Sequence, residues 1–196
     1  CVQRDIAPTA TFREAAHVVK QRLVNNRLSP VAIEPRAAVA RLDRATDEVR
    51  LWVASQNPHV HRLIMGASVL GIPEHKFRVI AGDVGGGFGS KIHIYPEECV
   101  VTWAARALGR PVKWTATRSE SFLTDAHGRD HVTDAELALT PDGKIQALRL
   151  TSTVNVGAHL SLFSVVTPTW LYGPVISGSY EIPTVYLEVT AAYTNT

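Results

Sequence analysis

The sequence predicts an α+β fold in which mixed β-sheets carry helices mostly on one face, in two sub-lobes. Between Val49 and Thr117 the order is strand, helix, strand, glycine-rich loop, helix, strand, which suits helices packed on a mixed sheet. Two long strand patterns follow, His131 to Thr140 and Lys144 to Val156, joined by the turn Pro141-Asp142-Gly143. The 196 residues, 45% of them hydrophobic, suffice for one cored domain or two small ones.

Further strands are predicted where β-prone residues alternate or form short apolar runs between turn residues. These segments are Ala15 to Leu23, Arg36 to Leu42, Val49 to Ala54, Phe77 to Ala81 and Thr184 to Tyr193. The last segment reaches almost to residue 196 without a cap or closing turn, so we expect the chain to be a fragment of a larger subunit.

Two helices are predicted between these strands. The first begins at Asn57-Pro58, because an Asn side chain caps a helix and a Pro at its first position lacks only an N–H that has no partner. It ends before Gly71. Its expected buried stripe is Val60, Leu63, Ile64, Ala67 and Leu70. The second runs from Pro96 to Leu108, with Glu97 and Glu98 at its positive end, where carboxylates need no catalytic role.

Charge and cysteine content exclude several classes of protein. A net charge of +2 gives no reason to expect nucleic acid or an anionic membrane as a partner. The two cysteines, Cys1 and Cys99, lack the dense spacing of a secreted disulfide framework. No apolar run approaches the roughly 20 residues of a spanning helix, and the first ten residues lack the apolar core of a signal peptide. A soluble, cytoplasmic protein is therefore expected.

Several residues that could carry chemistry are assigned structural roles. Cys99 lies in an apolar part of the second helix and is expected to be a buried, inert thiol. Trp103 and Trp114 are expected to pack in the core. Two histidine pairs are expected to be solvated, because neither has further metal ligands at a typical spacing: His59 with His61, and His127 with His131. His159 ends a strand and is a candidate for the surroundings of an active site.

The glycine loop, residues 82–91 with the sequence GDVGGGFGSK, follows a short apolar strand directly. It is not a phosphate-binding P-loop, because Ser90 and Lys91 stand in the reverse order. It is not a dinucleotide fingerprint either, because Ser90 takes the place of the third glycine. A loop with few side chains can bring its N–H groups close to acceptor atoms. Two alternatives stay open: a ligand held against Phe88, or a tight turn with Phe88 anchored in the core.

Gln56 is the second candidate, in a polar segment between a strand and the first helix. Its amide can donate to an oxygen ligand, and the helix start adds positive potential. If the strands ending at Ala54 and Ala81 are parallel neighbours, Gln56 and the glycine loop share one edge of the sheet. The alternative is a polar side chain that faces solvent.

In order and spacing, four segments resemble the molybdenum-binding subunit of the xanthine dehydrogenase and aldehyde oxidase family: Glu34 to Ala37, Ser55 to His59, Gly85 to Lys91, and Arg110 to Glu120. The resemblance covers nearly the whole chain and is nearest to the carbon monoxide dehydrogenase large-chain branch. It implies the molybdopterin-binding type of α+β fold. It also implies that Gln56 hydrogen-bonds an oxo ligand of molybdenum. The cofactor-embracing residues that it implies are Gly85, Gly86, Gly87, Phe88 and Gly89, with Phe88 at the substrate pocket.

The sequence also departs from this family's pattern. Ile92 stands where the xanthine-oxidising members have a glutamate, so xanthine is not the expected substrate. The cysteine-bearing Ala-Tyr-Arg loop of the carbon monoxide branch would lie beyond Thr196, and the general-base glutamate of the family lies in a later domain. No catalytic residue is therefore assigned in this chain.

Two functional hypotheses follow. In the first, residues 1–196 are the early part of the molybdopterin-binding domain of a hydroxylase that oxidises an aldehyde, carbon monoxide or a heterocycle with oxygen from water. Its expected partners are the remaining domains of the subunit and subunits or domains carrying iron–sulfur and FAD, and the fragment alone is expected to be inactive. In the second, the glycine loop binds an anionic ligand in a non-catalytic module.

Overall fold

The computed structural model describes residues 9–195, which form two compact units. One unit contains residues 29–128, and the other combines residues 9–28 with residues 129–195. The helices and strands are α1 (Thr9–Glu14), β1 (His17–Asn25), β2 (Ala37–Asp43), β3 (Glu48–Val53), α2 (Pro58–Leu63), β4 (Phe77–Ile80), α3 (Pro96–Leu108), β5 (Val112–Thr115), α4 (Arg118–Thr124), β6 (His131–Leu139), β7 (Ile145–Asn155) and β8 (Thr184–Ala192). The predicted α+β class is confirmed.

The unit of residues 29–128 is built on a sheet with the strand order β4-β3-β2-β5. β3 pairs with β4 in parallel, whereas β2 pairs antiparallel with both β3 and β5. Helix α3 packs on this sheet, and its buried residues Val101 and Ala105 join Leu51 of β3 in the core. The parallel pair matters most for function, because both of its strands end at the same edge.

Helix α2 begins at Pro58 as predicted, but the side chain of Asn57 makes no capping hydrogen bond. After Leu63 the helix widens into π-helical turns, Ile64–Leu70, and it stops at Gly71 with φ +60°. The extra residue in a π-turn rotates the buried face. The expected stripe is therefore wrong in phase: the buried residues are His61, Met65 and Gly66.

The other unit has the sheet order β1-β6-β7-β8. β6 and β7 form the predicted antiparallel hairpin, and Gly143 occupies its turn with φ +82°. β8 lies parallel to β7 at one edge, and β1 lies antiparallel to β6 at the other. Every residue of β1 is exposed, so this strand contributes backbone pairing and little core.

Two short helices, α1 and α4, were not predicted. A readable signal existed for α4: the Thr117 side chain accepts a hydrogen bond from the N–H of Glu120, and the Glu120 side chain accepts one from the N–H of Thr117. This capping box is visible in the sequence as Thr-x-x-Glu. No helix among residues 9–195 has the length and apolar character needed to span a bilayer.

Candidate functional site

The glycine loop and Gln56 lie at one edge of the sheet in the unit of residues 29–128. The register of β3 and β4 places Trp52 opposite Ile80, so the carboxyl ends of these parallel strands lie together, as predicted. The two segments that follow the strands are hydrogen-bonded. The main-chain N–H of Gln56 donates to the carbonyl oxygen of Lys91 at 3.0 Å.

The side-chain oxygen of Gln56 accepts two main-chain hydrogen bonds from the glycine loop. The N–H of Gly89 donates at 3.0 Å and the N–H of Lys91 at 3.2 Å. These donors set the orientation of the amide, because a flipped amide would turn its NH₂ group toward N–H donors. Gln56 is exposed, and its NH₂ group has no acceptor among the described residues. This donor is therefore available to a ligand.

Gly87 has no side chain because the amide of Gln56 occupies the space where one would lie. A Cβ at position 87 would lie 2.3 Å from the Oε1 and 2.7 Å from the Cγ of Gln56. Real Cβ atoms do not approach other heavy atoms so closely. The absence of a side chain at Gly87 thus leaves the space in which the Gln56 amide lies.

The opposite side of the loop packs against the segment that precedes β2. A Cβ on Gly85 would lie 2.5 Å from the Cβ of Glu34, and one on Gly86 would lie 3.3 Å from the Cβ of Ala32. The N–H of Gly85 donates to the Glu34 carboxylate at 2.8 Å, and the N–H of Glu34 donates to the Gly85 carbonyl oxygen at 3.0 Å. The loop is therefore held from two sides.

Lys91 ties the end of the loop to the same carboxylate. Its side chain is buried, and Nζ donates to the main-chain oxygen of Glu34 at 2.8 Å and to its carboxylate at 2.9 Å. Burial by itself would raise the pKa of Glu34, but the hydrogen bonds from Lys91 and Gly85 outweigh this effect and lower the pKa. Lys91 thus holds the loop together.

Phe88 projects from the loop instead of anchoring it. Its side chain is 76% exposed and its backbone has φ +52°. A non-glycine residue in this region costs on the order of 1–3 kcal/mol and needs surrounding contacts to hold it there. The alternative in which Phe88 is anchored in the core is therefore wrong, and the ring lies open at the site.

The loop also offers main-chain donors. Neither the N–H of Gly87 nor that of Phe88 has an acceptor within residues 9–195. With the NH₂ group of Gln56, they suit a ligand that carries several acceptor atoms. These residues fit the molybdopterin cofactor that the resemblance implies. Among the described residues, no group of three His, Cys, Asp or Glu side chains could hold a metal ion.

A buried polar network lies behind Gln56, and the sequence did not reveal it. Ser55, His61 and Glu98 are 3%, 0% and 2% exposed. The Nε2 of His61 lies 3.0 Å from a carboxylate oxygen of Glu98. Its Nδ1 lies 3.1 Å from the Oγ of Ser55 and 3.0 Å from the main-chain oxygen of Asn57. The prediction that His61 is solvated is therefore wrong.

These three side chains have the composition of a hydrolase triad, but the geometry gives them a structural role. The Oγ of Ser55 accepts a hydrogen bond from the N–H of Asn57 at 2.9 Å and donates to the carbonyl oxygen of Lys91 at 3.4 Å. A nucleophilic serine must reach a substrate carbonyl. Ser55 is buried beneath the loop and cannot reach a substrate. It instead binds the main chain of Asn57, next to Gln56, and of Lys91, at the end of the glycine loop.

For the residues on or near α3, some of the predicted structural roles are correct and one is wrong. Trp114 packs against the core as predicted, whereas Trp103 is 61% exposed on the outer face of α3. Cys99 is half-buried against the same core, and burial raises its pKa to about 11, which agrees with an inert thiol. Glu97 pairs with the buried Arg36, a structural role of the predicted kind.

The other histidines considered from the sequence differ in their exposure. His59 is exposed as predicted. His131 and His127 are half-buried, and the ring of His131 lies edge-on to Tyr172, so the prediction that this pair is solvated is wrong. His159 is exposed and belongs to the other unit.

Comparison with known proteins shows which family the chain belongs to. Residues 3–196 match the family described as the molybdopterin cofactor-binding domain. The chain is 40% identical over 194 residues to the carbon monoxide dehydrogenase large chain of Hydrogenophaga pseudoflava, covering 96% of this chain and 23% of that relative. The chain thus spans about a quarter of the length of the curated relative that it matches.

Solved structures show the same fold. Quinoline 2-oxidoreductase from Pseudomonas putida 86 matches with a TM-score of 0.84 and 37% identity over 98% of this chain and 24% of that one. Carbon monoxide dehydrogenase from Oligotropha carboxidovorans matches with a TM-score of 0.82 and 36% identity over 96% of this chain and 23% of that one. This chain therefore belongs to the family of molybdopterin cofactor-binding domains.

Proposed function

We propose that residues 1–196 are the early part of the molybdopterin-binding domain of a molybdenum hydroxylase and form one side of its cofactor site. The orientation of the Gln56 amide carries this proposal. Two main-chain donors hold its oxygen, so its NH₂ group is left to donate to an acceptor on the metal centre. A donor fixed before the ligand arrives needs no reorganisation during the reaction.

The other residues of the site have complementary roles. The main-chain N–H groups of Gly87 and Phe88 donate to acceptor atoms of the cofactor. Gly89, where a Cβ would meet nothing within 4 Å, lets the cofactor lie close to the loop, and Gly85 and Gly86 let the loop pack against Glu34 and Ala32 and so hold its position toward the cofactor. The exposed ring of Phe88 lines the substrate side. When bound, the cofactor supplies the redox chemistry.

The proposed enzyme oxidises carbon monoxide, an aldehyde or a heterocycle with oxygen from water. The matched proteins named for carbon monoxide and for quinoline support this range. Ile92 argues against a purine substrate, because it offers no charged or polar group to hold one. We place the cysteine-bearing loop just beyond Thr196 and the general base in a later domain of the subunit. We place the iron–sulfur and flavin centres on partner subunits or domains, and the enzyme in the cytoplasm.

The test compares two substitutions at one position of the complete subunit. Gln56→Glu keeps an oxygen for the N–H groups of Gly89 and Lys91 but removes the NH₂ donor, whereas Gln56→Ala removes both. If the donor acts on the metal centre, turnover in both variants falls on the order of 10²–10³-fold, the usual cost of losing one preorganised donor. The exposed neighbour substitution His59→Ala serves as the matched control and keeps normal turnover.

Molybdenum content is measured beside turnover in every variant. Turnover per molybdenum separates a catalytic defect from a loading defect. Normal turnover per molybdenum in Gln56→Glu would show that the amide only ties the loop, and the proposed role of Gln56 would be wrong.

A further inference from the structure

The buried network behind Gln56 consists of three polar side chains: Ser55, His61 and Glu98. A buried polar pair is often no more stabilising than apolar residues of the same volume, because both groups must leave water. His61 and Glu98 are nevertheless 0% and 2% exposed; His61 lies in the last turn of α2, and Glu98 lies in the first turn of α3. Their contacts lead directly to the residues that flank Gln56.

Each neighbour of Gln56 in the sequence is held by the ring of His61. Nδ1 lies 3.1 Å from the Oγ of Ser55 and 3.0 Å from the main-chain oxygen of Asn57. The Oγ of Ser55 also accepts the N–H of Asn57 at 2.9 Å, which closes a small ring of polar contacts around the Gln56 backbone. Since the Gln56 side chain is exposed, these backbone contacts and the glycine loop set its position.

Glu98 fixes the ring of His61 from the other side. The carboxylate oxygen that faces Nε2 at 3.0 Å also accepts the N–H of Tyr95 at 3.2 Å, at the start of α3. The hydroxyl of Tyr95 donates to the main-chain oxygen of Ser90 in the glycine loop at 2.7 Å. The Glu98 carboxylate therefore links the start of α3 to His61 behind Gln56 and, through Tyr95, to the glycine loop.

We propose that Ser55, His61 and Glu98 are positioning residues for Gln56 and act on the reaction only through it. The inference rests on the proposed function of Gln56. A ligand donor displaced by a fraction of an ångström loses much of its effect, and misplacement by about 1 Å can cost 10²-fold in rate. The network prevents that displacement without touching substrate or cofactor.

The test uses Glu98→Gln and Ser55→Ala in the complete, cofactor-loaded subunit. Each substitution keeps a side chain of similar size, and circular dichroism checks that each variant is folded. We expect kcat to fall about tenfold with KM within about twofold, because orientation is lost and substrate binding is not. The matched control is Thr102→Val, which removes a buried hydrogen bond to the main-chain oxygen of Glu98 without reaching Gln56.

A double-mutant cycle with Gln56→Ala identifies the route of the effect. If the network acts through Gln56, adding Glu98→Gln to Gln56→Ala lowers kcat less than about twofold further. Losses that multiply, or an equal loss of kcat in Thr102→Val, would overturn the inference.

Hydrogen exchange supplies a readout that does not need activity. In both cofactor-free and loaded protein, the amides of Gly89 and Lys91 should exchange about tenfold faster in Glu98→Gln and Ser55→Ala, and at the normal rate in Thr102→Val. Unchanged exchange in the first two variants would also overturn the inference. Normal turnover in Gln56→Ala would contradict the proposed function. In that case the hydrogen-exchange rates of Gly89 and Lys91 still test whether the network positions Gln56.

Discussion

Gln56 and Gly87 act as a pair, because the side chain of one fills the space that the other leaves. The glycine loop contains several glycines, yet they differ in what surrounds them. A Cβ on Gly82 would meet nothing within 4 Å, whereas a Cβ on Gly87 would overlap the Gln56 amide at 2.3 Å. Substitutions within one loop should therefore have very different effects.

We expect Gly87→Ala to displace the Gln56 amide and to lower turnover per molybdenum at least tenfold, because a misplaced donor costs between about 10- and 10²-fold. Gly82→Ala, in open space, should be neutral. Steady-state kinetics with molybdenum analysis measures both variants. In a Gln56→Ala background the effect of Gly87→Ala should largely disappear, since the overlapping amide is gone. An undiminished loss there would show that the added methyl group does not act through the Gln56 amide, which would contradict the prediction.

Cys99 gives a second prediction for a single residue. Burial disfavours the charged thiolate and raises the pKa to about 11, so at pH 8, about three units lower, roughly 10⁻³ of the thiol is ionised. In a Cys1→Ser variant, alkylation at pH 8 should be about 10²-fold slower than that of a small free thiol. The rate should rise about tenfold per pH unit up to pH 10. A rate equal to that of the free thiol would contradict this assignment.

Among the elements, Arg36 joins β2 to two helices. It is 1% exposed, its Nε donates to Asp125 at 2.6 Å after α4, and it pairs with Glu97 of α3 at 3.1 Å. Its guanidinium also lies 3.7 Å from the centre of the Tyr95 ring. Burial lowers the pKa of Arg36, but the two carboxylates outweigh this effect and raise it, so the side chain stays charged.

We expect Arg36→Met to lower the free energy of unfolding by about 3 kcal/mol, because removing one partner of a buried ion pair leaves carboxylates without their counter-ion. The carboxylates are partly exposed, which limits the loss. Thermal and urea unfolding measure it. Arg22→Met, which breaks the exposed pair with Asp134, should cost less than about 1 kcal/mol. Equal losses of unfolding free energy in Arg36→Met and Arg22→Met would show that burial of the ion pair does not determine the cost.

The sequence predicted the elements better than the contacts between them. Strand patterns and Pro58 located the parallel pair and the start of α2, and from these the meeting of Gln56 with the glycine loop followed. The burial of His61 did not follow, because its partner Glu98 lies 37 positions away and no local pattern connects the two. The prediction for Trp103 was also wrong: a large apolar side chain suggests burial, but this face of α3 points away from the core.

In the unit of residues 29–128, the candidate site includes several exposed side chains. Phe88 is 76% exposed, Gln56 is exposed, and Ile33 beside the loop is 92% exposed. Cofactor sites normally enclose most of the ligand surface. The chain spans about a quarter of the length of the carbon monoxide dehydrogenase large chain that it matches, so we propose that other parts of the subunit supply the remaining enclosure.

We expect residues 1–196, expressed alone, to fold but to retain no cofactor and to show no turnover. Folding follows from the core of the unit of residues 29–128, where Leu51, Met65 and Ala105 are fully buried. Loss of cofactor follows from the open site, because a ligand held on one side leaves most of its surface in water. Circular dichroism, elemental analysis and an aldehyde-oxidation assay test the three parts, with the complete subunit as control. Stoichiometric molybdenum with turnover in the fragment would show that these residues enclose the cofactor by themselves.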